Sequence, residues 1–594
     1  MFRHTNRFRL SGRTCIVAIT ATAALAGSML AAPTAQSAPP VPTDTECPEA
    51  FPVGEVIGGM PVSGLTVSQG TTPEPFSGEI LGVLQDGIAP GIDMVVARLS
   101  STAIDSAGGI WAGMSGSPVY AEDGRLVGAV SYGLSYGASP VAGLTPAEAM
   151  RAWLDTAPTA LTATPDRLRE DVGLPARTAA QIVDEGLATR EEVASGMSQL
   201  PLPIAVSGAA SPKRLRQISE LLGLEDALVY ATGGTTAATP AGDIVAGGNL
   251  AVTLSYGDIT YGGVGTATQV CGDEVLAFGH PAFWRGPTTL TMHSADVVYV
   301  QDDPYYPYKA ANITGATGTI TDDRYAAVHG YLGAPPDTTV VAAHSSSSEG
   351  LVRRGTTYVA IPEALPDIAT THLLANLDRV FDGISMGSSR IQLTAWGTLP
   401  DGSGFAVTRT DRFASAWDIT IDSVYDSYRT LSRVLNNRFT PVTIDKVQFT
   451  SFVDREYQEY RIGVVKRFKD GQWVKVDRSK ALRVRPGTIL RLQVTLDRVR
   501  IAGSRVQIVS LPVPEKAAGK RGNLTIAGGN SIWQQQKSSS FEDLLNDIES
   551  ELQNNDIVST LRIERRGPDM MRSQRTRMDV VVDGWIDVRV VVAH

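Results

Sequence analysis

The sequence contains few cysteines and few histidines. Its 594 residues include three Cys and seven His, and no spacing among them is typical of a metal site. Acidic and basic residues form no long blocks, and the net charge of -10 is spread along the chain. This pattern argues against nucleic acid as the main partner and gives no sign of binding to a membrane surface. We therefore predict no metal, no cofactor and no nucleic-acid partner.

Long apolar runs are also missing, except near the N-terminus. Four arginines within the first 13 residues precede an apolar stretch over residues 15–32, and small residues around Ala35 and Ala38 follow it. This order is typical of a secretory signal peptide, so we predict one over residues 1–38. A signal anchor is the alternative, which the small-residue site disfavours. We expect the mature protein to be secreted or to lie outside the cytoplasm in the cell envelope.

Removal of the predicted signal peptide leaves only Cys47 and Cys271 in the mature chain. In an exported protein, two cysteines are candidates for one disulfide, which here would join the N-terminal tail to a distant strand. Two free thiols are the alternative.

Composition and turn spacing indicate a globular, mainly β protein. Hydrophobic residues make up 43% of the chain, and 594 residues suffice for three or four domains. Short apolar segments separated by turn residues predict two β regions, over residues 39–155 and 246–382. Residues 156–245, rich in Ala, Thr and Pro, are predicted to form a linker with helical insertions. Alternating apolar and polar residues predict a C-terminal β-sandwich over residues 383–594.

Two helices have recognisable sequence signals. Thr145-Pro146-Ala147-Glu148 predicts a helix start, with Thr145 as N-cap and Glu148 completing a capping box. A second helix is predicted to run from about Ile361 to Phe381, with His372 on its surface.

The segment Gly113-Met114-Ser115-Gly116-Ser117-Pro118 is the strongest candidate for a functional site. Its glycines permit a tight turn, so the amides of Gly113 and Ser115 are predicted to point into one hole that binds an oxyanion. Asp123-Gly124 and the apolar run after it predict a hairpin that carries the serine on a rigid β scaffold. An ordinary surface turn is the alternative, because such turns have the same composition.

His280 is the histidine with the most informative setting. It ends the apolar strand Leu276-Ala277-Phe278 and lies between Gly279 and Pro281, where a ring can project from a rigid edge as a general base. A structural histidine is the alternative.

Together these segments resemble the SpoIVB-type serine peptidases, which are related to the chymotrypsin-like clan. The resemblance rests on Gly109-Ile110, the serine motif, residues 123–130 and the segment ending in Gly279-His280, and it covers about residues 55–150 and 245–335. It implies a mainly β fold with a chymotrypsin-like double β-barrel, followed here by the predicted sandwich.

The resemblance also implies roles for individual residues. Ser115 matches the nucleophile and His280 the general base, while Asp105 is the candidate for the carboxylate that orients the imidazole. Asp273 and Asp302 are alternatives to Asp105. The histidine segment precedes the serine segment in the family, whereas Ser115 comes first here, as after a circular permutation.

The resemblance implies an exported serine endopeptidase that acts on protein or peptide substrates, with narrow specificity or autoprocessing. The alternative is a non-catalytic protein of the cell envelope, in which a peptidase-like scaffold and the C-terminal sandwich serve binding.

Overall fold

The computed structural model describes residues 47–155, 171–224, 227–303, 306–532 and 538–594. The predicted signal peptide over residues 1–38 lies outside them. Within these ranges the protein is mainly β, as the sequence predicted. No helix in the described ranges combines the length and the apolar character needed to cross a bilayer.

The first β region closes into a six-stranded antiparallel barrel, in the order β4-β1-β2-β3-β6-β5 with β5 paired back to β4. Its interior is filled by apolar side chains that include Trp111 and Met114 from the loop before β4. The strands are β1 (Pro61–Thr66), β2 (Glu74–Ala89), β3 (Ile92–Ser100), β4 (Pro118–Ala121), β5 (Leu126–Leu134) and β6 (Val141–Pro146). Helices α1 (Thr102–Ser106) and α2 (Ala147–Asp155) follow β3 and β6.

The residues predicted as a linker contribute strands to two different sheets. β7 (Met197–Gln199) pairs with β5, whereas β8 (Ile204–Val206) and β9 (Val229–Ala231) extend the sheet of the second β region. The predicted helical insertions are α3 (Ala176–Asp184), α4 (Arg190–Ala194) and α5 (Pro212–Leu221). The described part of this segment, residues 171–224 and 227–245, therefore packs against both β regions, which corrects its interpretation as a linker; residues 156–170 lie outside the described ranges.

The second β region also closes into a six-stranded antiparallel barrel, in the order β10-β13-β14-β15-β12-β11 with β11 paired back to β10. Its strands are β10 (Asn249–Gly257), β11 (Tyr261–Cys271), β12 (Glu274–Ala277), β13 (Gly286–Gln301), β14 (Tyr308–Arg324) and β15 (Ala327–Leu332). The double β-barrel expected from the resemblance is thus present.

The sheet of the second barrel continues through five more strands into the region predicted as the sandwich. β17 pairs with β10, and the order outward is β17-β16-β20-β18-β19. These strands are β16 (Thr339–Ser347), β17 (Val352–Val359), β18 (Gly387–Thr398), β19 (Gly404–Ser415) and β20 (Thr443–Asp454). The sandwich boundary predicted at residue 383 is therefore too early, because alternation alone cannot tell which sheet a strand joins.

Three helices cover this extended sheet: α6 (Leu365–Phe381), α7 (Ile419–Asp422) and α8 (Tyr425–Leu435). α6 is buried along nearly its whole length, and His372 is fully buried rather than exposed. Its ring bonds to the Thr357 hydroxyl at 2.9 Å, so the expectation of a surface histidine was wrong.

The sandwich begins at Glu459 and consists of two five-stranded sheets around one apolar core. One sheet has the order β22-β21-β24-β25 with β29 beside β21, and the other has the order β23-β30-β26-β27-β28. The strands are β21 (Glu459–Lys469), β22 (Gln472–Lys475), β23 (Leu482–Val484), β24 (Ile489–Arg498), β25 (Ser504–Pro512), β26 (Arg521–Gly528), β27 (Asp556–Ile563), β28 (Met570–Arg577), β29 (Val581–Asp583) and β30 (Trp585–Val592). Helix α9 (Phe541–Ser550) packs against β19.

A disulfide joins Cys47 to Cys271 at the end of β11, with their Cα atoms 5.7 Å apart. It fastens the segment before the first barrel to the second barrel. The predicted pairing is confirmed.

Candidate active site

The candidate nucleophile lies on a tight loop that packs into the interior of the first barrel and is hydrogen-bonded to it. Gly113 and Gly116 both have φ of +97°, in the left-handed region that favours glycine. The Gly116 amide donates to the carbonyl of Val130 on β5 at 2.8 Å, and the Ser117 amide donates to the Met114 carbonyl at 2.8 Å. Ser115 is thus carried on a backbone with little freedom to move.

Strand β11 of the second barrel is hydrogen-bonded to the same loop. The Thr266 amide donates to the Ser115 carbonyl at 2.8 Å, and the Thr266 hydroxyl donates to the Gly113 carbonyl at 3.0 Å. The Thr268 hydroxyl donates to the Gly116 carbonyl at 2.8 Å. Three carbonyls of the serine loop are therefore bonded to one strand of the other barrel.

The histidine segment follows β12 and is held in turn by the first barrel. Gly279, at φ +68°, packs against β5, where an added Cβ would lie 3.0 Å from the Ser131 Cβ. The Thr145 hydroxyl on β6 donates to the Gly279 carbonyl at 2.5 Å and bonds to the Ser131 hydroxyl at 2.7 Å. Each barrel thus positions the functional segment of the other.

Ser115 and His280 are in direct contact. The Nε2 atom of His280 lies 2.7 Å from Ser115 Oγ, and its Nδ1 atom lies 2.8 Å from the Pro281 carbonyl oxygen. Because a carbonyl only accepts, Nδ1 carries the proton, which leaves Nε2 to accept from the serine hydroxyl. Burial lowers the pKa of His280 to about 4, while the Pro281 carbonyl acts in the opposite direction. The imidazole is therefore neutral at pH 7 and suited to act as a base.

Two amides of the serine loop are unpaired. Among the described residues, the amides of Gly113 and Ser115 donate no hydrogen bond, whereas those of Met114, Gly116 and Ser117 are bonded within the protein. Buried amides are normally paired. The unpaired ones are thus the two that were predicted to bind an oxyanion.

The candidate carboxylates lie elsewhere. Asp105 is exposed on α1, Asp273 is exposed in a turn and Asp302 is exposed directly after β13, while His280 is fully buried. The backbone carbonyl of Pro281 accepts the hydrogen bond from His280 Nδ1 that the prediction had assigned to the carboxylate of Asp105. The structure thus corrects that assignment: a carbonyl, which needs no specific side chain, orients the imidazole here.

A buried carboxylate does organise the histidine segment, although not through the ring. Asp323 on β14 accepts from the amides of Ala282 and Phe283 at 2.7 Å and 2.8 Å. Burial raises the pKa of Asp323, and the amides that it accepts from oppose that shift. No local sequence signal marks this residue, because it lies in a strand far from the serine and histidine motifs. In the described part of the chain, His, Cys, Asp and Glu form no group suited to hold a metal ion.

Comparison with known families gives one match. Residues 52–140 match the model described as SpoIVB peptidase S55. This match supports the similarity to the SpoIVB-type peptidases that the sequence motifs indicated. No curated protein and no solved structure shows a significant similarity to the chain.

The S55 match confirms the family resemblance and indicates a peptidase, which acts on protein or peptide substrates. It includes Ser115 and ends directly before β6, so Thr145 and His280 lie outside it.

Proposed function

We propose that the protein is an exported serine endopeptidase of the SpoIVB type, with Ser115 as nucleophile and His280 as general base. The contact of 2.7 Å between Ser115 Oγ and His280 Nε2 carries this proposal. The two residues come from different barrels and are 165 positions apart. A nucleophile within hydrogen-bond reach of an oriented base is the arrangement that acyl transfer needs.

In the proposed mechanism, Ser115 Oγ attacks the peptide carbonyl while its proton passes to His280 Nε2. The amides of Gly113 and Ser115 bind the oxyanion that develops, and the Pro281 carbonyl accepts from Nδ1 throughout. The imidazolium then gives its proton to the leaving amine, and water hydrolyses the acyl-enzyme by the reverse sequence. Because no carboxylate among the described residues bonds to the ring, the imidazolium is less well stabilised than in a Ser-His-Asp triad. We therefore expect slow turnover.

Burial of the site supports narrow specificity or autoprocessing. Ser115 and His280 are both 0% exposed, so a peptide reaches the nucleophile only after a local displacement. The same burial is the observation that favours the alternative, a non-catalytic binding protein on a peptidase-like scaffold. Export is supported by the predicted signal peptide and by the disulfide, because disulfides persist in oxidising compartments.

Labelling with a fluorophosphonate serine-hydrolase probe tests the proposal. We expect the folded mature protein to be labelled, and Ser115→Ala and His280→Ala to lose labelling while keeping the wild-type circular dichroism spectrum. Both residues are needed, because Ser115 forms the bond to phosphorus and His280 removes the serine proton.

Two variants serve as controls. Ser117→Ala removes a neighbouring hydroxyl that bonds Thr66 at 2.9 Å, and His293→Gln alters another buried histidine, on β13. Both are expected to keep the label. A folded wild-type protein that resists labelling would instead support the binding scaffold.

A further inference from the structure

Lys309, on β14, is a fully buried lysine beside the serine loop. Its Nζ atom donates to Asn249 Oδ1 and Thr266 Oγ1, both at 3.1 Å. The Asn249 amide nitrogen donates to the carbonyls of Gly70 and Ala295, which fixes the oxygen towards Lys309. Both partners of the amine are neutral, so it has no counter-charge in these contacts. Burying a charged amine without a counter-charge costs folding free energy, so the presence of this lysine points to a function.

Lys309 is linked to both peptides that flank Gly113, directly to the one before it and through Thr266 to the one after it. Its backbone amide donates to the Ala112 carbonyl at 3.0 Å, and the peptide of that carbonyl carries the Gly113 amide on its other side. Its side chain bonds Thr266, whose hydroxyl donates to the Gly113 carbonyl. A Cβ added to Gly113 would lie 3.1 Å from three side-chain carbons of Lys309. Gly113 therefore lies against the lysine stem, with its amide unpaired.

We propose that Lys309 is a positioning residue of the peptidase site, whose protonated side chain holds the oxyanion loop through Thr266 and offsets the negative charge that develops there. This inference rests on the proposed function. The oxyanion would be the transient counter-charge that the buried amine lacks in the resting protein. The fixed positive charge of Lys309 would act strongly on it, because water is excluded from the site.

The charge of this amine changes within the physiological range. Burial lowers the pKa of Lys309 to about 7. The groups that face it from the packed elements are neutral: Gly113 from the serine loop, Asn249 from β10 and Thr266 from β11. Tyr308 precedes Lys309 on β14, and Tyr230 on β9 donates to the Ala311 carbonyl of β14; burial raises the pKa of both phenols. They stay uncharged at neutral pH.

The lowered pKa values of His280 and Lys309 together predict an unusual dependence of reactivity on pH. His280 is the active base when neutral, so reactivity rises as pH increases through about 4. Lys309 supports the oxyanion when protonated, so reactivity falls as pH increases through about 7. The proposed site therefore works best in mildly acidic solution.

The second-order rate constant for fluorophosphonate labelling, measured from about pH 5 to about pH 9, tests the inference. We expect the wild-type rate to fall about tenfold between about pH 6 and about pH 8.5. Lys309→Met, which keeps the length of the side chain, is expected to label about tenfold more slowly at about pH 6 and with no inflection near 7. This is less than the 10²–10³-fold or so expected for loss of an oxyanion donor itself. Lys475→Met, at an exposed lysine on β22, is the matched control and should keep the wild-type profile.

Each outcome separates the inference from the proposed function. A wild-type rate that stays constant from about pH 6 to about pH 8.5 overturns the role of Lys309 even if Lys309→Met does not fold. If a folded Lys309→Met variant is labelled more slowly but retains the inflection near pH 7, the charge of Lys309 does not act on the reaction and its role is only structural. Failure of the wild-type protein to label at any pH contradicts the peptidase proposal itself.

Discussion

Gly116 is the residue at which the backbone of the serine loop meets the backbone of the second barrel. A Cβ added there would lie 1.8 Å from the Thr266 carbonyl oxygen and 2.6 Å from the Phe278 nitrogen. The loop cannot move aside, because both the amide and the carbonyl of Gly116 are bonded. Glycine is therefore required by two conditions at once, the positive φ and the contact between the barrels.

The variant Gly116→Ala is expected to destabilise the protein by at least about 3 kcal/mol, since it adds steric overlap to the strain of a positive φ. Gly124→Ala is the matched control: Gly124 has φ of +86°, but a Cβ there meets nothing within 4 Å. Gly124→Ala should lower the free energy of unfolding by about 1–2 kcal/mol, because only the backbone strain of the positive φ applies there. Denaturant unfolding of both variants measures the difference, and equal losses would show that the contact with Thr266 adds nothing.

The individual residues differ in how well the sequence predicts them. Ser115 and His280 stand between residues that mark a turn, and the structure brings them together. Asp105 was selected from a local pattern, but orientation of His280 is taken over by a backbone carbonyl, which any residue supplies. Asp323 and Lys309 lie in β14 without any local signal, because their role comes from burial beside a distant loop.

At the level of elements, Thr145 shows how a strong local signal is overridden. Thr145-Pro146-Ala147-Glu148 has the sequence of a capping box, yet Thr145 and Pro146 end β6 and α2 begins only at Ala147. Its hydroxyl instead bonds Ser131 within the first barrel and the Gly279 carbonyl across the junction of the two barrels. The β regions were predictable from alternation and turns, and the double barrel from the family resemblance, but pairing between distant strands was not.

The junction predicts the effect of Thr145→Val, which keeps the shape and removes the hydroxyl. The loss leaves the Gly279 carbonyl unpaired and should cost about 1–3 kcal/mol of stability. We also expect fluorophosphonate labelling to slow about tenfold, since the histidine segment loses its attachment to β6. Thr145→Ser retains the hydroxyl and should restore both the unfolding midpoint and the labelling rate. Wild-type labelling by Thr145→Val would show that the bond does not position His280.

At the level of the whole molecule, the site depends on how the barrels meet rather than on their order along the chain. Each barrel closes through its own strand pairs, β4 with β5 and β10 with β11. The serine segment belongs to the first barrel and the histidine segment to the second, which is the reverse of the order that the family resemblance implies. Because such a site is defined by geometry, exchange of the two halves leaves its chemistry possible.

The buried position of the site predicts that opening limits its labelling at high probe concentration, whereas the second-order rate constant at low concentration still reports the chemical step. With Ser115 and His280 both 0% exposed, any reagent must wait for a local displacement of the surrounding structure. We therefore expect the rate of fluorophosphonate labelling to reach a plateau as the probe concentration rises. Two probes of different size should share one plateau, because the plateau measures opening of the protein and not binding of the probe. A rate that stays proportional to concentration, or plateaus that differ between the probes, would show that the serine is accessible without a shared opening step.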